Sequence, residues 1–307
     1  MLLLIITKLR RKERIDVFRC KYIIQEKMKD KLFRGVQIVL FIIVLMIFLF
    51  SLSKVVSITL EYKAGRDEYK ALEHFVKVED EPEISTAGES SELTTESTAD
   101  SVIPDTKEDV VVRYHDGFVN MSVDFASLKA LNSDLAGWLY VPAASISYPM
   151  VLGQDNDYYL THTFKHEENK NGAIFLDQVT SKPFEEYNTI VHGHNMKDGS
   201  MFGRLKTFYH DVNTYANNPY FYIYTEEKTY KYLICSYYIT TETSDTYMIP
   251  NTEESYQEYK KYILNNATYK GIEGIPDSAP IVTLSTCHGA NYTDKRLVVH
   301  GILVATK

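Results

Sequence analysis

Cys287 closes the run Thr283-Leu284-Ser285-Thr286-Cys287, and Arg296 heads the run Arg296-Leu297-Val298-Val299-His300. The first follows a short apolar segment and the second heads another, and such segments read as strands. The pattern therefore sets a thiol at the end of one strand and a guanidinium at the start of the next. A thiol attacks only as its thiolate, so it needs a cation or a base nearby. The run Thr189-Ile190-Val191-His192-Gly193-His194-Asn195-Met196 offers histidines at a third strand end. Such a set can attack a peptide carbonyl through the Cys287 sulfur, with His194 protonating the departing amine. Arg296 would donate hydrogen bonds to the substrate carbonyl or the developing oxyanion. The thioester left on Cys287 gives transpeptidation if an amine reaches it first, and hydrolysis if water does.

Residue types alone leave alternatives open. His192, His288 and His300 rival His194 as the base, and Arg296 beside Lys295 equally fits a strand opening at the surface. His192 and His194 would share one face of a strand, where Cys287 and His288 could complete a zinc set. Against that, no Cys-x-x-Cys accompanies them, and 193–196 reads as a turn that rotates His194 away. The expectation is therefore no metal and no cofactor, because the acyl chemistry needs neither redox nor a Lewis acid. Of the three cysteines, Cys20 lies in the basic amino-terminal segment and Cys235 sits mid-strand, where a small buried apolar role suits it. No disulfide framework fits this count. The sequons at Asn120, Asn266 and Asn291 decide nothing.

The elements that must position these residues follow from the patterning. Strands are expected at 138–141, 146–150, 172–176, 189–192, 220–224, 230–239, 281–285 and 296–305, separated by turns rich in Pro, Gly, Asn and Asp. So many short strands in one domain suggest a β-barrel or sandwich. Asp124 can cap a helix running through Leu131, with Leu135 and Trp138 continuing its apolar pattern and the helix packing on a sheet edge. A second helix is expected at 253–266, with Tyr256, Tyr259, Tyr262 and Ile263 along one side. The many tyrosines, 24 in all, fit half-buried strand surfaces.

The amino-terminal third is built differently. Residues 35–53 carry no charge and are long enough to cross a bilayer. Upstream, residues 1–34 hold many more lysines and arginines than acids, which keeps that side cytoplasmic and places the remainder outside the cell. The apolar run at 2–6 is too short to span. A cleaved signal peptide fits less well, since the stretch begins late and lacks a small-x-small cleavage site. Residues 55–78 suggest a short helical stalk, and 79–109 an acidic flexible spacer that would let the following domain, 111–307, reach away from the membrane. The net charge of −8 thus conceals a basic start and an acidic remainder, and the exported part has no basic stripe for nucleic acid.

From about Asp124 to the C-terminus the chain resembles the class B sortases of Gram-positive bacteria. The resemblance rests on the Thr-Leu-Ser-Thr-Cys run ending at Cys287, the Gly-His-Asn-Met segment at His194, and Arg296 opening the last strand. Asn156-Asp157-Tyr158-Tyr159-Leu160 and Gly172-Ala173-Ile174-Phe175-Leu176-Asp177 add to it. It implies a mainly β fold, an eight-stranded sortase barrel with an N-terminal helix and a helix between strands six and seven. It implies Cys287 as nucleophile, His194 as general acid and base, and Arg296 as the oxyanion or positioning group. Asn156, Leu160 and Ser285 look like members of a sorting-signal groove, and His192 stands where such enzymes often have tyrosine. The partners so implied are surface proteins bearing a C-terminal signal of the Asn-Pro-x-Thr or Leu-Pro-x-Thr-Gly kind, and an amine of peptidoglycan precursor or a pilin lysine.

Overall fold

The structure, a computed structural model, describes residues 2–78, 117–211, 214, 218–269, 274–287 and 294–307. It opens on one helix, α1 (Leu2–Leu72), whose apolar stretch makes it long and apolar enough to cross a membrane. A 3-10 turn leads into β1 (Val76–Val78), which pairs antiparallel with β2 (Met121–Val123). Then follow α2 (Phe125–Leu131), β3 (Leu135–Val141), β4 (Ile146–Val151), α3 (Tyr158–Thr161), β5 (Ile174–Leu176), β6 (Asn188–His192), α4 (Lys206–His210) and β7 (Tyr220–Tyr224). β8 (Thr229–Thr241), α5 (Glu253–Asn266), β9 (Ile281–Cys287) and β10 (Lys295–Thr306) complete the described chain.

Eight strands close into a barrel in the order β10-β8-β7-β3-β4-β5-β6-β9. The sheet is mixed: β4 with β5 and β6 with β9 run parallel, and the other pairs antiparallel. This topology places the site. Parallel pairing brings the C-terminal ends of β6 and β9 side by side, and antiparallel pairing returns the start of β10 to that same end.

Trp138, Met150, Ile174, Val191, Leu284 and Val298 are among the fully buried apolar side chains. The tyrosines of β7 and β8 are buried rather than half-buried: Phe184 packs on Tyr230, Phe208 on Tyr237 and His300 on Tyr238, and residues before β2 reach the same strands. Tyr224 donates to Val119 O at 2.8 Å, and Lys231 donates to Gly117 O at 3.0 Å. Phe221 and Tyr232 stack at 5.0 Å between ring centres.

Helix α5 has the expected bounds, since Thr252 accepts from Ser255 N while the Ser255 hydroxyl closes back onto the cap. Tyr256, Tyr259 and Ile263 are its buried residues; Tyr262 is only partly covered. Asp124 caps α2 as expected, accepting from Ser127 N at 3.0 Å. Leu135 and Trp138 do not continue that helix: Asn132 ends it, and both residues lie in β3. A closed barrel has no free edge, so α2 packs beside β3.

The compact unit around the barrel begins at Glu61, so the end of α1 and β1 are part of it. Tyr69 and Leu72 belong to its core. Val78 is the cross-strand partner of Met121, so the chain on either side of residues 79–116 is held together. The expected acidic spacer, 79–109, lies outside the described residues.

Candidate active site

Cys287 and Arg296 are cross-strand partners on β9 and β10, and His192 and Ser285 are partners on β6 and β9. Partners point to the same side of a sheet, as do residues two apart on one strand. His192, Ser285, Cys287 and Arg296 therefore share one side at the barrel end. Cys287 is free and exposed. Arg296 is held at the lip by Glu242, with Nη2 to Oε2 at 2.5 Å, and donates to Lys295 O at 3.1 Å.

β6 ends at His192, and the chain turns so that the two imidazoles take different partners. His192 donates from Nε2 to Asp177 Oδ2 at 3.0 Å, and His194 donates from Nε2 to Leu160 O at 2.7 Å. The loop between them is fastened to β9: Gly193 N donates to Ser285 O at 3.2 Å, and Asn195 Nδ2 to Cys287 O at 2.8 Å. Burial raises the Asp177 carboxyl, but the hydrogen bonds from His192, Val179 N and Asn156 outweigh it and hold its pKa below the ordinary carboxylate value. That carboxylate is an anchor for the His192 ring.

One cleft of about 490 Å³ collects every residue named for the site: Asn156, Leu160, His192, His194, Ser285, Cys287 and Arg296. Asn156 spans two of its loops, its Oδ1 accepting from Gln178 N at 2.8 Å. The rival His300 is elsewhere. It is wholly buried, pairs through Nδ1 with Thr283 Oγ1 at 2.9 Å, and burial depresses its pKa to about 3. His288 lies outside the described residues, as does Asn291. Cys235 is buried, donates to His300 O at 3.5 Å, and is pushed up to about 12 by burial, so it stays a thiol.

Tyr247, Asp177 and Glu242 also line the cleft. Tyr247 shares a hydrogen bond with Ser285 Oγ at 2.8 Å and lies nearly parallel to the His192 ring at 6.4 Å. Burial raises its phenol pKa, the largest influence, although the bond to Ser285 and the charge on Arg296 act the other way. Tyr247 lies in a 3-10 turn after β8, where no periodic pattern marks it. Glu242 sits just past the end of β8, and only the β8–β10 pairing brings it to Arg296. Asp177 had a signal, since it follows β5 within the Gly-Ala-Ile-Phe-Leu-Asp segment. A second cavity of about 320 Å³ lies against the other end of β3 and β8, among Leu135, Phe184, Tyr230 and charges of both signs, with no thiol or imidazole in its wall.

The sequence profile of the sortase domain matches residues 139–304, spanning the barrel from β3 to β10. Sortase B of Listeria monocytogenes is 36% identical over 186 residues, which is 59% of this chain and 74% of that protein. The chain belongs to the sortase B family. Among solved structures, sortase B of Bacillus anthracis is 27% identical with a TM-score of 0.59, over 80% of this chain and 99% of that one. A Staphylococcus aureus sortase B–substrate complex is 27% identical with a TM-score of 0.54, over 59% of this chain and 84% of that one. The family makes this protein a cysteine transpeptidase with the eight-stranded barrel expected of it.

Proposed function

We propose that this sortase cleaves a C-terminal sorting signal of the Asn-Pro-x-Thr or Leu-Pro-x-Thr-Gly kind and transfers the severed protein to an amine of peptidoglycan precursor. The observation that carries the reading is the register of β9 and β10, which sets an exposed thiol directly beside a guanidinium at the wall of a peptide-sized cleft. The likeness to a sortase B–substrate complex supports a peptide in that cleft.

In this reading the Cys287 thiolate attacks the carbonyl carbon of the signal's threonine. Arg296 donates to that carbonyl oxygen as negative charge gathers on it. The tetrahedral adduct collapses with rupture of the peptide bond, and protonated His194 gives its proton to the departing amine. The Leu160 carbonyl engages Nε2, so Nδ1 is the nitrogen that gives and takes this proton. Neutral His194 next accepts a proton from the incoming amine, which attacks the thioester and releases Cys287 as thiolate. Arg296 must swing from Glu242 or share it to reach the substrate, and both groups stand on the lip where such a change is local.

Asn156, Leu160, Ser285 and His192 form the groove that receives the signal, with Tyr247 and Asp177 fixing Ser285 and His192. Residues 35–53 of α1 span the membrane, the basic residues 1–34 stay in the cytoplasm, and the barrel works outside. The catalytic domain, residues 111–307, works together with the end of α1 and β1, which belong to the same compact unit.

The test uses the full chain in detergent, a fluorescence-quenched peptide of each signal, and either a small amine or a lysine-bearing pilin segment. Amine-dependent formation of a peptide–amine conjugate is the expected result, with the preferred signal identified by rate. Conjugation only to a lysine-bearing pilin segment would redirect the acceptor assignment, and release of free acid at the same rate with or without amine would make the protein a hydrolase.

A further inference from the structure

The end of α1 grips both segments that hold His194. Tyr69 is 5% exposed; its hydroxyl donates to Gly172 O at 2.6 Å and accepts from Phe164 N at 3.2 Å. Gly172 backs the histidine. Its φ is +56°, and a Cβ there would stand 2.5 Å from Tyr159 O, 2.9 Å from Leu160 O and 3.0 Å from His194 Cδ2, so no side chain fits. Ala173 N donates to Tyr159 O at 2.9 Å, and the next carbonyl along, that of Leu160, is the one that engages His194 Nε2. From Tyr69 to the imidazole there are thus only backbone groups in direct contact.

The other flank of His194 is held from the same helix. Arg66 pairs with Asp198 at 2.6 Å, in the loop that follows the histidine. The Tyr69 ring meets the Tyr148 ring edge-on at 5.3 Å, and the Tyr148 hydroxyl accepts from Met201 N at 3.1 Å. Phe202 N then donates to His194 O at 3.0 Å. Contact is close along the helix: a Cβ on Gly65 would lie 2.5 Å from Asn171 Nδ2. Glu68 accepts from Thr163 Oγ1 at 2.8 Å and from Lys165 N at 3.0 Å, closing the grip on the loop before Gly172.

We infer that residues 61–72 of α1 are a positioning element of the active site, in which Tyr69 sets the orientation of His194 through Gly172 and Leu160. The inference rests on the reading of His194 as the general acid and base. A proton donor works efficiently only when its ring is held to within about half an ångström and about 10–20° of the productive geometry. His194 lies just past a strand end, so its ring depends on neighbours for that hold. The helix supplies them from outside the barrel.

The experiment is steady-state kinetics on the full chain in detergent, over a pH series, with melting temperatures measured alongside. Tyr69→Phe keeps the ring but leaves Gly172 O and Phe164 N without their hydroxyl. It should lower kcat about tenfold and leave KM within about twofold. Gly65→Val, which pushes the helix off Asn171, should lower kcat roughly a hundredfold by the same route. In both, the limb of the pH profile that reports the imidazole should shift. Lys129→Ala, which breaks an exposed ion pair with Glu226, should leave every parameter unchanged. A folded Tyr69→Phe with wild-type kcat and an unshifted limb overturns the inference. Wild-type activity in His194→Ala would instead remove the reading on which it rests.

Discussion

Arg296 beside Cys287 and His300 beside Thr283 are cross-strand pairs of the same β9–β10 ladder, and they live in opposite surroundings. At the strand end the thiol is exposed and the guanidinium reaches a carboxylate at the lip. Further along, His300 is sealed in the barrel, its pKa depressed to about 3, within hydrogen-bond reach of a hydroxyl that also meets Asn188 Oδ1 at 2.7 Å and Tyr259 at 3.2 Å. Cys235 on the neighbouring strand completes the contrast with Cys287, since burial keeps it protonated. On the proposed reading one ladder carries a reactive pair and a structural pair, and what separates them is access to water. A charged group is stable where solvent or a partner screens it, and the interior tolerates histidine and cysteine only as neutral packing groups.

The most drastic way to sharpen this contrast is to delete each thiol in turn. Cys287→Ala should reduce peptide cleavage by at least about 10⁴-fold, while Cys235→Ala should retain the rate and cost about 1 kcal/mol in stability. Cleavage assays and urea unfolding of the purified chain read both. Next in size is the pH dependence that the buried pair imposes. In the unfolded chain His300 takes up a proton near its ordinary pKa of 6.5, but in the folded protein only near 3. The unfolded state therefore binds more protons across that window. The stability contribution is complete above about pH 6.5, falls by about 1.4 kcal/mol per pH unit below it, and levels off near pH 3. Unfolding midpoints measured from pH 7 to pH 4 should show this slope, and His300→Gln should flatten it.

Arg296→Lys preserves the charge but not the planar fork, and should cost roughly a hundredfold in kcat/KM with the melting temperature unchanged. A lysine variant with near-wild-type rate would mean that Arg296 acts only as a point charge. At the buried pair, Thr283→Val removes a hydroxyl within reach of three polar groups, and should cost about 1–3 kcal/mol without altering turnover of what remains folded. Smallest of all, Tyr247→Phe removes the hydroxyl that meets Ser285 and should weaken peptide binding by roughly threefold, seen as a rise in KM.

How far the sequence reveals this arrangement depends on how local each feature is. Strands β6, β9 and β10 and helix α5 announce themselves through apolar runs and an Asn-Thr-Glu-Glu start, so the residues at their ends, Cys287, His192 and Arg296, could be located from them. Leu135 misled because one apolar residue after a short helix fits either continuation, and only the Asn132 cap decides it. The β1–β2 pair was invisible for a different reason: two three-residue strands separated by a long acidic segment carry no periodicity, and their pairing is a tertiary event. Glu242 and Tyr247 reach the cleft only because β8 pairs with β10 along most of its length and the turn beyond it folds back. Nothing in their local sequence marks them. Tyr69 is of the same kind, a residue that reads as one more apolar position of a helix until its hydroxyl is seen against Gly172.

Intact mass spectrometry of the full chain incubated with sorting-signal peptides shows whether Cys287 is the acyl carrier. The expected result is a mass increase equal to the N-terminal peptide fragment, mapped to Cys287 after digestion; it disappears when an amine is added, and the fragment is recovered as the peptide–amine conjugate. Peptide turnover with no adduct on Cys287, or the same turnover in Cys287→Ala, would contradict it.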